Sequence, residues 1–145
     1  MFKKILVPTD GSDVGAKAAS VAAEMAKAAG GQVVGVYVID PFPYIGIGDA
    51  SAVGLQSYLS DAKRVAGAAL EQVASACRAQ GVPFAGDTIE RNLVWEGILE
   101  TAKAEGCDLV VMGSHGRQGV KALILGSVAQ KVLTHAQVPV LIVKG

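Results

Sequence analysis

An excess of charge of either sign is absent from this 145-residue chain, in which 13 Lys and Arg balance 13 Asp and Glu. The counterion release that drives proteins onto polyanions therefore has no chain-wide source, and a nucleic-acid partner is not expected. Long apolar runs are also missing. Every one is broken by Lys, Glu, Asp or Gln before the roughly 20 residues that a membrane-spanning helix needs, so no membrane span is expected. The start, Met1 to Pro8, reaches Pro8 and Asp10 too soon to hold the apolar core of a secretory signal. Cysteine is scarce: Cys77 and Cys107 form no C-x-x-C and have no histidine pattern beside them, which points to reduced, packed thiols and a cytoplasmic protein. His115 and His135 are the only histidines, too few for a histidine-built metal cage, and no metal-binding or catalytic residue is assigned. No G-x4-G-K-[ST] occurs, so the lysine of a Walker loop is lacking. Gly46-Ile47-Gly48 starts a dinucleotide-like pattern but has no third glycine and follows a proline-rich stretch, so it reads as loop.

What is present is apolar and glycine-rich. With 51% hydrophobic residues and 18% charged, the chain is too rich in core formers to be disordered. Its length suits one domain, residues 1–145, of the usual size of about 100 to 200 residues. The 18 glycines follow no collagen-like triplet, and no internal repeat is visible.

Along the chain, β-branched apolar runs alternate with stretches of helical period. Lys4–Val7 reads as a strand that stops at the turn and cap formers Pro8–Ser12. Asp13–Ala29 has small and apolar residues every three or four positions and ends at Gly30-Gly31, the pattern of an amphipathic helix. Val33–Ile39 is a continuous apolar run, as in a parallel strand covered on both faces. Pro41–Leu55 carries two prolines and three glycines without a sustained period and reads as a long loop of lid type. Helix is expected from Leu55 to Gln80, a weaker strand over Phe84–Ile89 interrupted by Gly86, and a short helix over Val94–Glu105. A strand over Asp108–Met112, a helix from Ser127 to His135 capped by Ser127, and a last strand over Val138–Val143 follow. Strand and helix in alternation predict a doubly wound α/β fold, a parallel sheet with helices on both faces. In such sheets ligands bind beyond the carboxyl ends of the strands, which directs attention to Pro8–Ser12, Asp40–Pro43 and the residues from Gly113 onward.

The strongest pattern there is Gly113-Ser114-His115-Gly116, nine residues, then Gly126-Ser127. Glycines let backbone approach a ligand closely, and a helix amino end offers free N–H groups to an anion, so phosphate would suit this loop. The same residues also serve as turn punctuation and a helix cap, and spacing alone leaves both readings open. Asp10 likewise either reaches a ligand or caps the following turn. His115, Arg117 and Lys121 either face phosphate or are solvated. Ser114 and His115 are chain neighbours with no acid at helical spacing, so nucleophilic catalysis has no support.

Val110–Gly119, Leu125–Ala129 and Val138–Val143, together with the opening Lys4–Ser12, resemble the universal stress protein family over essentially the whole chain. The G-x2-G-x9-G-[ST] form is that of its ATP-binding branch. The resemblance implies five parallel strands in the order 3-2-1-4-5 and ATP as the ligand, with Mg or Mn accompanying the phosphates. Asp10 would contact the adenosine ribose or the metal region, and the Val38 backbone would hydrogen-bond adenine. Gly113, His115, Gly116, Gly126, Ser127 and Val128 would surround ribose and phosphates, with Pro8, Thr9, Met112 and Arg117 also binding the nucleotide. A stress-responsive, nucleotide-dependent switch is the function expected. The alternatives are a slow ATPase or nucleotidyl-transfer enzyme, for which only Asp10, Asp13, Asp40 and His115 are titratable candidates in the strand-end loops, and a nucleotide-free interaction protein. The residues Glu90–Trp95 depart from the family's usual turn before the third helix. Finally, in that strand order Val138–Val143 is an apolar edge, which predicts a homodimer through it.

Overall fold

The computed structural model describes residues 1–41, 52–116 and 125–145. Its elements in chain order are β1 (Lys4–Pro8), α1 (Asp13–Ala29), β2 (Gln32–Ile39), α2 (Ala52–Gln80), β3 (Phe84–Glu90), α3 (Val94–Ala104), β4 (Leu109–Gly113), α4 (Ser127–His135) and β5 (Val140–Val143). All strand pairs are parallel and the order is β3-β2-β1-β4-β5, as expected from the alternating pattern and the family resemblance. Arg117, Lys121 and most of the expected Pro41–Leu55 loop lie outside the described residues.

Several element ends shift from expectation by a single residue, and three further differences each have a local reason. Helix α2 starts at Ala52, three residues inside the predicted loop, because the roughly 1 kcal/mol cost of a helical Gly54 is small for a helix of 29 residues. Strand β5 starts at Val140 rather than Val138, since Pro139 has no N–H to donate; its carbonyl still accepts from the Val110 N–H at 3.0 Å. Ser127 is the first residue of α4, not its cap. The cap is Gly126, in extended backbone and without a side-chain hydrogen bond.

Two apolar clusters sandwich the sheet. On one face α1 lays Ala18, Ala19, Ala22, Ala23 and Ala26, all fully buried, against Ile5, Val7, Val33 and Val111, while α2 adds Val73 and Cys77. Side chains this small bring the helix backbone close to the sheet, so an added methylene has nowhere to go. On the other face α3 and α4 supply Ile98, Ala102, Ala129 and Val132 against Leu6, Val34, Val36, Val110 and Met112. The ring of Trp95, in the first turn of α3, stacks on that of His135, the last residue of α4, at 4.5 Å. Cys77 and Cys107 are buried free thiols on opposite faces, and burial pushes Cys107 up to about 11, which keeps it protonated and inert at neutral pH.

Strand β3 pairs along its whole length with β2, and Gly86 does not interrupt it. Gly86 stands opposite Gly35, and the Phe84 ring and Leu70 fill the space over both; a Cβ on Gly35 would meet the ring at 2.9 Å. At the amino end of the sheet the Asp108 carboxylate accepts from the Lys3 and Lys4 N–H groups at 2.9 and 3.2 Å, tying β1 to the start of β4.

Candidate functional site

Between the carboxyl ends of β1 and β4, where the winding reverses, lies a cavity of about 540 Å³. Its first wall is the turn after β1. Pro8 ends the strand, and the Thr9 N–H donates to the Val36 carbonyl at 3.0 Å, holding the turn to β2. Gly11 then takes φ 82°, a left-handed conformation that glycine adopts without steric cost, and donates its N–H to Thr9 Oγ1 at 3.2 Å. Asp10 Oδ1 accepts from the Ser12 N–H at 3.0 Å, and Ser12 Oγ accepts from the Gly15 N–H at 3.1 Å as the cap of α1. Asp10 therefore does have the turn-forming role open to it from sequence. Its other oxygen, Oδ2, faces the opposite wall, where a Cβ on Gly116 would collide with it.

The second wall follows β4. Gly113 closes that strand so near α1 that a Cβ would come 2.9 Å from a Val14 methyl. Ser114 is buried; its N–H donates to the Val143 carbonyl at 2.9 Å and its own carbonyl accepts from the Gly126 N–H at 2.6 Å. The two glycine ends of the loop are thereby joined directly through Ser114. A Cβ on Gly126 would sit 3.2 Å from that carbonyl and 3.3 Å from His115 Cα. Since Gly126 brings no capping side chain, the first-turn N–H groups of α4, which have no intrahelical partner in any α-helix, stand at the cavity rim at Ser127, Val128 and Ala129. Their partial positive charge, added to the helix dipole, favours an anion. His115 also lines the cavity, with Nδ1 3.4 Å from the Gly116 carbonyl.

The remaining lining is apolar. Tyr37, Val94, Ile98, Met112 and Pro8 shape it. A cavity with an apolar end and an end of backbone donors suits a molecule built the same way, with a flat apolar ring at one end and an anion at the other. Among the described residues no group of three His, Cys, Asp or Glu could hold a metal ion, and Asp10 is the only acidic side chain on this lining.

Of the residues singled out from sequence, Pro8, Thr9, Asp10, Met112, Gly113, His115, Gly116, Gly126, Ser127 and Val128 all line this one cavity. Val38 is not on its lining. Its side chain packs under α3, with both methyls 3.1 Å from where a Cβ on Gly97 would be, and the neighbouring Tyr37 lines the cavity instead. Sequence reasoning missed Ser12, Gly15, Ser114, Val94 and Ile98. Val94 and Ile98 stand four apart on one face of α3, a spacing that marks a buried helix face but does not say which end of the sheet it covers.

Comparison with known proteins agrees with this geometry. The model of the universal stress protein family matches residues 1–144. A universal stress protein of Methanocaldococcus jannaschii is 37% identical over 145 residues, covering 99% of this chain and 83% of that protein. Among solved structures, another protein of that organism, MJ0577, superposes with a TM-score of 0.82 at 28% identity, over 100% of this chain and 97% of its own. The universal stress protein of Archaeoglobus fulgidus solved in complex with dAMP shares the fold, with a TM-score of 0.65 at 22% identity, over 99% of each chain.

Proposed function

Because the chain belongs to the universal stress protein family, we propose that its cavity binds an adenine nucleotide, ATP, and that the protein acts in the cytoplasm as a nucleotide-dependent switch in the stress response. The observation that carries this reading is the set of positions where a side chain would intrude. Gly113, Gly116 and Gly126 each stand where the backbone passes too close to Val14, Asp10 and Ser114 respectively to carry a Cβ, so glycine lets the walls of the cavity close up there, and the uncapped amino end of α4 stands at the same rim. Phosphates would lie there, with His115, Ser127, Val128 and Arg117 as the surrounding groups. The nucleoside would lie toward Tyr37, Met112 and Pro8, with adenine at the β2 end near the Val38 backbone. The dAMP held by the Archaeoglobus protein is one instance of this ligand class within the fold. The residues suit a divalent ion only as a companion of the phosphates. Asp10 would face Mg or Mn from the first wall, and the ion would offset the triphosphate charge.

Mass spectrometry of the nucleotide released from purified protein tests the reading: ATP, ADP or AMP is expected, and a preparation free of nucleotide that also gives no heat on titration with ATP and magnesium overturns it. Turnover in the range of roughly 1 to 100 s⁻¹ would replace binding by catalysis as the activity.

The same proposal extends to assembly through β5. This edge strand carries Leu141 37% exposed beside half-buried Val140 and Ile142, and on the adjoining helix Leu133 is 43% exposed. An apolar edge with unpaired backbone groups is stable in water only when covered, and a second copy presenting the same strand antiparallel covers both. Leu141→Lys is the variant of choice, because Val143 is turned into the core. Light scattering is expected to give a dimer for the native chain and a monomer for the variant.

A further inference from the structure

The end of β5 and the cavity are built into one another. Three contacts join them. The Val143 carbonyl accepts from the Ser114 N–H at 2.9 Å, and the Ser114 carbonyl in turn accepts from Gly126, the cap of α4, at 2.6 Å, so one buried residue links the edge strand to the anion-binding end of that helix. Beyond the strand, Gly145 lies against His115, with a Cβ there only 3.0 Å from Nε2. The Lys144 carbonyl accepts from Lys17 Nζ at 3.1 Å, which holds the tail on α1. The register carries the same connection, since Gly113 pairs with Val143 as the last rung of the β4–β5 ladder. A shift of the β5 end therefore moves Ser114, and through it Gly126, and it moves the surface against which His115 rests.

Resting on the nucleotide reading and on pairing through β5, we propose that the two events are coupled: a filled cavity favours pairing of β5 with a second copy of the chain, and pairing raises the affinity for nucleotide. The physical basis is shared ordering. Phosphates on the α4 amino end fix Gly126 and hence Ser114, which holds the Val143 carbonyl and the end of β5 in the position that a partner strand must meet. A partner strand on β5 fixes the same rung from the other side. Whichever event comes first meets the ordering cost for both, and the second then proceeds with a smaller one. Since the coupling is an equilibrium property and a dimer carries two sites, the factor by which saturating nucleotide tightens the dimer is the square of the factor by which pairing tightens each site.

Sedimentation of the full chain over a range of concentrations, with and without ATP and magnesium, tests this together with calorimetric titration of ATP in the same buffer. The expected result is a dimer dissociation constant lowered by about five-fold or more when ATP is present, the lower end of ordinary coupling factors. Leu141→Lys, held as a monomer, should bind ATP more weakly by the square root of that factor, about two-fold or more. A dimer constant that changes by less than about two-fold while calorimetry shows ATP bound overturns the coupling and leaves the nucleotide reading intact. So does a chain that stays monomeric in both conditions. Titration without any binding would instead overturn the nucleotide reading, and the coupling with it.

Discussion

Helices α1 and α4 both begin at the rim of the cavity, one after β1 and the other after β4, and their first turns are finished in different ways. On α1 the chain itself meets the demand for acceptors: Ser12 Oγ takes the Gly15 N–H, and Asp10 and Thr9 accept from the turn before it. On α4 the cap is Gly126, which offers no side chain, and the first-turn donors are left to whatever occupies the cavity. The same secondary structure at the same rim thus divides into a wall that is satisfied internally and a wall whose first-turn donors have no capping side chain. The lesson is that a helix amino end becomes a candidate binding feature when the chain withholds its own acceptor and removes the side chains that would fill the space.

The most damaging way to break this division is to fill the open wall. Gly126→Val would press against the Ser114 carbonyl and His115, and it is expected to weaken ATP binding by at least about 100-fold, close to 3 kcal/mol, in calorimetry. Its circular-dichroism spectrum should remain that of the native chain. Next comes Gly116→Ala, whose methyl would drive the Asp10 carboxylate out of its present position. Because a side chain gives way more readily than backbone, the expected loss is about ten-fold, or 1.4 kcal/mol, by the same titration.

Altering the closed wall should separate stability from binding. Ser12→Ala removes the α1 cap and should cost about 1 kcal/mol of stability, a lowering of the melting temperature by a few degrees, with ATP affinity changed by less than about two-fold. If the variant instead loses affinity as severely as Gly126→Val, the two helix ends are not distinct in function.

The smallest effect lies at the opposite end of the sheet and serves as a reference. Asp108 is partly desolvated, which alone would raise its pKa, but hydrogen bonds from the Lys3, Lys4 and Asp108 N–H groups, with the charge of the amino terminus, together outweigh this and hold it below the ordinary carboxylate value. A depressed folded-state pKa means stability that is present above the unfolded value, near 3.8, and lost as pH falls through the folded one. Melting curves of Asp108→Asn and the native chain should therefore differ at neutral pH and converge in acid. ATP affinity should be the same in both.

The parallel winding and the gathering of the Pro8–Ser12 and Gly113–Ser127 loops at one site were both legible in the sequence, but by different means, and the order 3-2-1-4-5 came with the family resemblance. Alternating apolar runs gave the winding, and β1, β2 and β4 had an unambiguous β-branched pattern. The pairing of two loops more than 100 residues apart came from the resemblance, since spacing alone allowed Gly113–Ser127 to be plain turns. What was not legible depended on direction. Whether Tyr37 or Val38 lines the cavity turns on which face of β2 packs under α3, and a run that is apolar at both parities carries no such mark. The cap of α4 was misassigned because Ser is a preferred cap and Gly126 a permitted one; close packing against Ser114, a contact over 12 positions, decided for glycine.

The glycine pair at the other edge bears on how the sheet finds its alignment. Most of β3 is exposed, with only Phe84 and Ile89 partly covered, so burial does little to say which of its residues belongs beside which residue of β2. A slip of two positions would keep every side chain on its own face and forfeit little apolar contact. Gly35 and Gly86 remove that degeneracy. They meet in a single alignment, and only there does the Phe84 ring find a flat bed two strands wide; after a slip, Val33 or Tyr37 would stand opposite Gly86 with a side chain in the ring's place. The absence of two side chains thus acts as a key that admits one register of β3 and rejects its neighbours.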